Sequence, residues 1–295
     1  MSRIQEILNK AEREGTARRT RGLSEATSAA PTVPPAHLRA PAAVLEPAPV
    51  PWTAGATAPV LEPDDTAMPS PVFDGHLVAA VAPQSPAAER YRLLRTRIKQ
   101  SERGRSVRSI VVTSPAKGDG KSLTAANLAL TMAQEFHQRV LLLDADLRRP
   151  SVARLFGISD GPGLTDVLMG VADLDSALVH LRDHHLTILP AGTPPAQPAE
   201  LLGSASMRRV LDTLGPRYDR ILIDMPPVAP LADVHVLSQM ADGLLMIVRA
   251  GSTPKPAIER ALSGLDMTKV LGLVLNGAGD GGGDGYSDGY GYIAG

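Results

Sequence analysis

Short apolar runs alternate with amphipathic segments from residue 106 onward. A run of four to six apolar residues bounded by polar ones is typical of a strand that is buried on both faces. We predict strands at 109–113, 139–144, 186–190, 220–224, 243–248 and 270–275. We predict helices near 121–136, 150–156, 163–169, 173–182, 199–214, 231–239 and 255–266. This alternation predicts βαβ units and an α/β sandwich, with a mostly parallel central sheet flanked by helices.

The pattern before this region divides the N-terminal part of the chain into three segments. Residues 86–100 have helical spacing and begin the folded domain, which we place at 86–278. Residues 23–85 are dominated by Ala, Pro, Thr and Ser, and we expect a disordered linker because proline removes backbone donors. We predict a short amphipathic helix at residues 1–22, which would either dock on a partner or fray without a role. We expect residues 279–295 to form a flexible, glycine-rich tail.

Composition narrows the class of protein. The formal net charge is −1, so the protein as a whole has no positive electrostatic field that would favour binding of nucleic acid. The chain contains no cysteine, which excludes disulfides, thiol catalysis and cysteine-bound metals. No apolar run approaches the roughly 18 residues that a membrane span requires, and the first residues lack the apolar stretch of a signal peptide. We therefore expect a cytoplasmic protein that meets the membrane only through a partner.

The segment after the first predicted strand, 113–122, reads Thr-Ser-Pro-Ala-Lys-Gly-Asp-Gly-Lys-Ser and has the layout of a P-loop. Backbone N–H groups in the turn and at the following helix N-terminus can cradle phosphate oxygens. Lys121 can reach the β- and γ-phosphates, and the Ser122 hydroxyl can bind Mg²⁺. The full pattern has a glycine where this chain has Pro115. We predict that ATP with Mg²⁺ binds at Ala116, Lys117, Gly118, Asp119, Gly120, Lys121, Ser122 and Leu123.

Polar side chains end three of the later predicted strands. Asp144 and Asp146 follow one apolar strand and point to the same side, and Asp224 ends another in the manner of a Walker B carboxylate. Carboxylates at these positions can hold Mg²⁺ or accept a hydroxyl proton, and a helix cap is the plainer alternative. Asn276 ends the last strand and either contacts a base or makes the turn into Gly277.

The tail carries three of the five tyrosines of the chain: Tyr286, Tyr290 and Tyr292. Tyrosine is normally stabilised by burial of its ring, which a glycine-rich tail does not offer. Exposed hydroxyls beside acidic residues in a nucleotide-binding protein suggest phosphoacceptors, and a low-complexity tail with incidental aromatics is the alternative.

Taken together, these motifs resemble the bacterial tyrosine kinases (BY-kinases) of exopolysaccharide and capsule synthesis, in their cytoplasmic autokinase form. Residues 115–122, 142–150 and 221–227 resemble the Walker A, A′ and B motifs of that family, and 190–202 resembles a family segment that precedes Walker B. The spacing Glu89-x-x-Arg92-x-x-Arg95 resembles the oligomerisation helix of the family. The N-terminal helix and linker bear a looser similarity to the exosortase-associated members. The resemblance covers about residues 86–292.

The resemblance implies a mechanism and a set of partners. Lys121 and the loop amides would bind the phosphates, Ser122, Asp146 and Asp224 would surround Mg²⁺, and Asp144 would accept the tyrosine proton. Each tail would be phosphorylated in trans within a homo-oligomeric ring, because a tail cannot easily reach its own site. The activator would be a separate membrane polysaccharide copolymerase of the chain-length-determinant type, which would recruit the kinase to the inner face of the cell membrane.

Two other functions fit some of the same residues. The first is a ParA/MinD-like positioning ATPase, although Lys117 lies one residue too close to Lys121 for the extra lysine of that class. The second is a non-catalytic ATP-binding adaptor, in which the nucleotide acts only as a structural switch. The tyrosine-rich tail and the Glu-x-x-Arg-x-x-Arg spacing favour the kinase.

Overall fold

A seven-stranded sheet forms the centre of the protein in a computed structural model that describes residues 72–102, 104–135, 138–228 and 233–278. The strands are β1 Ser109–Thr113, β2 Val140–Asp144, β3 Val179–Leu181, β4 Leu186–Leu189, β5 Arg220–Asp224, β6 Gly243–Arg249 and β7 Val270–Asn276. Their order across the sheet is β3-β4-β2-β5-β1-β6-β7. All pairs are parallel except β3 with β4, so the predicted mostly parallel sheet is confirmed.

Helices connect the strands and cover the sheet. They are α1 Val78–Val81, α2 Pro86–Ser101, α3 Lys121–Ala133, α4 Val152–Leu155, α5 Leu164–Leu168, α6 Leu174–Ala177, α7 Pro198–Leu202, α8 Ala205–Leu214, α9 Asp233–Met240 and α10 Lys255–Ser263, with a 3-10 turn at Arg182–His184. Among the helices of the described ranges, none is long and apolar enough to cross a bilayer.

The central strands are buried on both faces. Along β2, Leu141 and Leu143 belong to one apolar cluster, whereas Val140 and Leu142 belong to the other. Successive side chains of a strand point to opposite faces, so this alternation places one apolar layer on each side of the sheet. A sheet covered on both faces leaves its strand ends as the place for polar chemistry.

The folded unit begins before the predicted boundary at residue 86. Leu77 is fully buried within one of the two apolar clusters, and Asp74 N–H donates to the Leu155 carbonyl at 2.9 Å. The buried Asn127 side chain accepts from Ala79 N–H at 3.0 Å and donates to the His76 carbonyl at 3.0 Å. Residues 72–85 are therefore part of the domain, and the predicted linker is too long at this end. The rest of the predicted linker, the predicted helix at 1–22 and the predicted tail at 279–295 lie outside the described residues.

Two predicted helices differ from the structure. The segment 173–182 contains α6 and then turns into β3, which pairs antiparallel with β4 at the edge of the sheet. The segment 199–214 is divided into α7 and α8 between Gly203 and Ser204, because the Ser204 hydroxyl accepts from Met207 N–H and starts a new helix. In both cases local hydrogen bonding interrupts an apolar periodicity that is continuous in the sequence.

Candidate nucleotide and phosphoryl-transfer site

The candidate site lies where the central parallel strands end. Val112 in β1 and Asp144 in β2 both pair in register with Asp224 in β5. The P-loop follows β1 directly, so the order of the strands brings the carboxylates of β2 and β5 beside it. Parallel strands end at one edge of a sheet, which is where ligands bind in this class of fold.

The P-loop turns through two glycines in the left-handed region, Gly118 with φ 88° and Gly120 with φ 91°. Between them lies Asp119, a buried residue whose Oδ2 accepts from Ala116 N–H at 2.9 Å. This hydrogen bond closes the turn although Pro115 stands where the full pattern has glycine. Of the loop amides predicted to cradle phosphate, that of Ala116 is thus committed to the loop itself.

Lys121, at the start of α3, lies among the polar groups that the sequence singled out. Its Nζ lies 2.7 Å from Asp146 Oδ2, 3.5 Å from Asp224 Oδ1 and 3.0 Å from the Ser122 hydroxyl oxygen. Burial lowers the pKa of Lys121, but the nearby Asp224 and Asp146 carboxylates outweigh it and the net pKa is raised. The ammonium therefore stays charged and is held at the strand ends, where charge on a bound phosphate would need compensation.

Asp144 serves the local fold as well as the candidate site. Its Oδ1 accepts from Asp146 N–H at 3.1 Å, and its Oδ2 accepts from Ser151 N–H and Val152 N–H at 3.0 Å each. The helix-cap alternative is therefore present in the structure for this residue. Burial nevertheless raises the pKa of Asp144 above its ordinary value, against these hydrogen bonds and Lys121. The carboxyl can thus bind a proton closer to neutral pH, as a proton acceptor must.

Asp224 has the features of a cation ligand. Its Oδ2 is buried and accepts no hydrogen bond of standard geometry from the described residues, although the Ser122 hydroxyl lies near enough to lower its pKa. Burial outweighs Lys121 and raises the pKa of Asp224 overall. A buried carboxylate oxygen without a donor is costly unless a cation or proton satisfies it.

The donor set fits Mg²⁺. Asp224, Asp146 and the Ser122 hydroxyl place oxygen atoms around Lys121 that could bind a cation. No group of three or more His, Cys, Asp or Glu side chains in the described ranges forms a metal cage. Mg²⁺ usually takes one or two carboxylates, substrate phosphates and water rather than an all-protein cage. These residues can therefore hold a magnesium ion that arrives with a nucleotide.

Asn276 makes a contact with the P-loop that neither predicted alternative included. Its Nδ2 donates to the Asp119 carbonyl at 2.9 Å, and a Cβ at Gly120 would collide with the Asn276 amide. Asn276 thus packs against the P-loop from the end of β7.

Two further residues hold the same loop and were missed in the sequence. Arg249, at the end of β6, donates to the Gly118 carbonyl at 2.9 Å, and the Thr253 hydroxyl donates to Asp119 Oδ1 at 2.7 Å. A signal was available, because Arg249 is a polar residue at the carboxyl end of an apolar strand. Such residues lie at the edge of the sheet where ligands bind.

The remaining predicted residues lie elsewhere. Glu89 and Arg92 form an ion pair at 2.8 Å on α2, and Lys117 is exposed at the loop. Arg95 is turned toward its own chain, since it donates to the Thr131 carbonyl at 2.7 Å and lies 3.3 Å from Glu135 Oε1. The predicted phosphoacceptors at 286, 290 and 292 lie outside the described residues.

Comparison with known proteins places this geometry among P-loop proteins. A family model described as ParA: NUBPL iron-transfer P-loop NTPase matches residues 106–278. That stretch contains β1 to β7 and all of the loop and strand-end residues described above.

Individual proteins that are similar to this chain are tyrosine kinases. The tyrosine-protein kinase YwqD of Bacillus subtilis is 37% identical over 204 residues, which cover 68% of this chain and 86% of that protein. The tyrosine-protein kinase CpsD of Streptococcus agalactiae is 31% identical over 191 residues, 64% of this chain and 81% of its own. The kinase domain of Escherichia coli tyrosine kinase ETK matches with a TM-score of 0.66 and 26% identity, and covers 78% of this chain and 89% of that domain.

Proposed function

This chain belongs to the bacterial tyrosine-kinase family and is a protein-tyrosine kinase, and we propose that it uses ATP to phosphorylate Tyr286, Tyr290 and Tyr292 in trans. The observation that carries this proposal is the position of Lys121, whose Nζ lies 2.7 Å from Asp146 and 3.5 Å from Asp224. A cation held by two carboxylates next to a P-loop fits a site that binds triphosphate and magnesium together.

The residues of the site would bind and orient rather than form a covalent intermediate. The loop amides and Lys121 would hold the phosphate oxygens and offset the charge that develops during transfer. Ser122, Asp146 and Asp224 would hold Mg²⁺, which supplies further charge neutralisation when bound. A bound phosphate would attract Lys121 away from its carboxylate partners and leave Asp224 free for the metal.

Asp144 is the proposed proton acceptor. The tyrosine hydroxyl would lose its proton to the Asp144 carboxylate while its oxygen bonds to the γ-phosphorus, and the bond from that phosphorus to the bridging oxygen of ADP would break. The raised pKa of Asp144 supports this role, since a carboxyl with an ordinary pKa is a weak base at neutral pH. The hydrogen bonds from Ser151 and Val152 would keep its carboxylate fixed in place.

The wider role that we propose is regulation of exopolysaccharide or capsule synthesis and export. The family resemblance supports a membrane copolymerase of the chain-length-determinant type as the activator. It also supports a homo-oligomeric ring through α2, in which each tail enters the site of the next protomer. The exposed Glu89–Arg92 pair is available for such a contact.

Intact-mass spectrometry of the full chain after incubation with Mg²⁺ and ATP tests the proposal, with peptide mapping of residues 279–295. We expect phosphate on one or more of the three tail tyrosines, and its loss in Asp144→Asn. The control is nucleotide affinity, which Asp144→Asn should keep within about threefold of the unaltered chain if the residue acts in transfer rather than in binding.

The same experiment separates the alternative functions. An unmodified tail together with ATP hydrolysis, with the cytoplasmic part of a copolymerase present, would indicate the positioning ATPase. Nucleotide binding with neither hydrolysis nor phosphorylation would indicate the adaptor.

A further inference from the structure

We propose that Arg249 and Thr253 are positioning residues for the nucleotide, because they hold the P-loop from the end of β6 and from the loop that follows it. This inference rests on the proposed use of ATP. We call Arg249, Thr253 and Asn276 the loop brace. None of its residues belongs to the Gly-Asp-Gly-Lys-Ser segment, and Arg249 and Thr253 follow Lys121 by more than 120 positions.

The brace contacts two successive carbonyls of the loop. Arg249 Nη1 donates to the Gly118 carbonyl, and Asn276 Nδ2 donates to the Asp119 carbonyl, each at 2.9 Å. Arg249 and Asn276 are paired in register on β6 and β7. Paired residues on two adjacent strands thus contact two consecutive carbonyls of the loop.

These contacts set the direction of the loop amides. In a planar trans peptide the C=O and the N–H point in opposite directions. Because Arg249 holds the Gly118 carbonyl, the Asp119 N–H points away from Arg249. Because Asn276 holds the Asp119 carbonyl, the Gly120 N–H points away from Asn276. Phosphate binding in a P-loop depends on amides that converge on one point. The brace therefore fixes the direction of two of the groups on which binding depends.

Thr253 completes the brace through the Asp119 side chain. Its hydroxyl accepts from Arg249 N–H at 3.0 Å and donates to Asp119 Oδ1 at 2.7 Å, while Asp119 Oδ2 accepts from Ala116 N–H at 2.9 Å. Thr253 and Asp119 are both buried, so this chain of hydrogen bonds is shielded from competing water. It compensates for Pro115, since the side chain of Asp119 supplies the turn that the missing glycine would otherwise allow.

The experiment measures dissociation constants for ATP and ADP on the full chain by displacement of a fluorescent nucleotide. Arg249→Gln and Thr253→Val remove the two contacts, and we expect each to raise both constants about tenfold, because each variant loses a hydrogen bond that involves a charged group. Thr253→Ser keeps the hydroxyl and should restore the affinity to within about threefold.

Matched control variants exist far from the loop. Arg105 is exposed and donates to the Thr268 carbonyl at 3.0 Å, and the Thr268 hydroxyl donates to Asp266 at 2.7 Å. Arg105→Gln and Thr268→Val therefore break the same kinds of hydrogen bond without reaching the P-loop. We expect both to leave the nucleotide affinity unchanged.

The outcomes distinguish this inference from the proposed function. Affinities of Arg249→Gln and Thr253→Val within twofold of the unaltered chain, with folding verified by circular dichroism, would overturn the inference. Arg249 is exposed, so its substitution remains informative if Thr253→Val fails to fold. An unaltered chain that binds ATP but leaves its tail unmodified would refute the proposed transfer while the brace is still supported by its affinities. An unaltered chain that binds no nucleotide would overturn both.

Discussion

At the residue scale, the site is defined by buried carboxyl groups around one ammonium. Asp144 and Asp224 are fully buried, Asp146 nearly so, and Lys121 lies beside Asp146 and Asp224. Burial raises the pKa values of Asp144 and Asp224 despite Lys121, and for Asp224 the nearby Asp144 and Asp146 carboxylates add to the rise. The nucleotide-free site is thus poised to accept a further cation.

The raised pKa of Asp224 gives a stability change with a definite sign. Between the ordinary carboxyl pKa near 4 and the raised value, the folded chain binds a proton that the unfolded chain has lost. Asp224 therefore favours folding at low pH, and this contribution is lost as the pH rises through the raised pKa. We expect Asp224→Asn to stabilise the nucleotide-free protein by on the order of 1 kcal/mol at pH 8, and by less at pH 5. Urea denaturation at the two pH values measures the difference.

Asp219 is a control for this prediction, because its pKa is shifted in the opposite direction from that of Asp224. Its hydrogen bonds from Arg139 lower its pKa to about 2, so its contribution to stability is present at neutral pH and is lost as the pH falls. Asp219→Asn should not stabilise the protein at pH 8. If Asp224→Asn also failed to stabilise it there, the idea that Asp224 is buried as an unsatisfied anion would be wrong.

At the scale of elements, α3 connects the P-loop to the segment before α2. Asn127 lies fully buried on α3, accepts from Ala79 N–H, and donates to the carbonyls of His76 and Leu123, each at 3.0 Å. The helix that begins with Lys121 is thereby fixed to residues that the sequence assigned to a linker.

We expect Asn127→Leu to reduce the free energy of unfolding by about 2–4 kcal/mol, because it leaves buried backbone groups of two segments without partners. Gln134→Leu is the matched control, since Gln134 is exposed and donates to the Ala79 carbonyl at 3.0 Å. The control should cost less than about 1 kcal/mol. Equal losses in the two variants, measured by urea denaturation, would mean that Asn127 is not the main link between α3 and α1.

Leu77 tests where the domain begins. It is fully buried, so Leu77→Ala should cost about 2–5 kcal/mol of unfolding free energy, whereas Leu93→Ala, at a position 53% exposed, should stay within about 0.5 kcal/mol of zero. Thermal unfolding by calorimetry would measure both variants. A Leu77→Ala loss no larger than that of Leu93→Ala would return the domain boundary to residue 86.

At the scale of the whole molecule, α2 has one set of contacts near its outer surface and another set with the segment at the end of α3. Glu89 and Arg92 are paired along the helix, and Arg92 also donates to the Pro83 carbonyl at 2.7 Å. Arg95 and Lys99 lie near Glu135, which follows α3. The motif predicted for oligomerisation therefore also fastens α2 to the helix of the P-loop.

Because Arg92 and Arg95 make different contacts, their substitutions should have different effects on protomer stability. Arg92→Ala should weaken assembly with little effect on protomer stability, because surface ion pairs are worth at most about 1 kcal/mol. Arg95→Ala should weaken assembly and also lower the unfolding temperature by a few degrees, because the Thr131 carbonyl loses its donor. Light scattering after size exclusion gives the mass, and calorimetry gives the unfolding temperature.

The control for the two arginines is Arg105→Gln, which alters an exposed arginine away from α2 and should change neither mass nor unfolding temperature. Full assembly in both Arg92→Ala and Arg95→Ala would refute the predicted role of α2 between protomers.

The sequence alone determined the alternation of strands and helices, the P-loop and the carboxylates at the strand ends. These features depend on local periodicity and on residue types at fixed spacing, which are legible without a fold. The predicted strands that end in Asp144, Asp224 and Asn276 lie where the pattern placed them. The family also follows from these motifs, because their order along the chain is specific.

Only the tertiary structure decided how distant residues complete the site. The register of β5 between β1 and β2 brings Asp224 to Lys121, and the pairing of Arg249 with Asn276 brings both to the P-loop. The burial of Leu77 likewise depends on neighbours far away in the chain. Hydrogen bonds and burial are properties of juxtaposed elements, and no local pattern in the sequence specifies them.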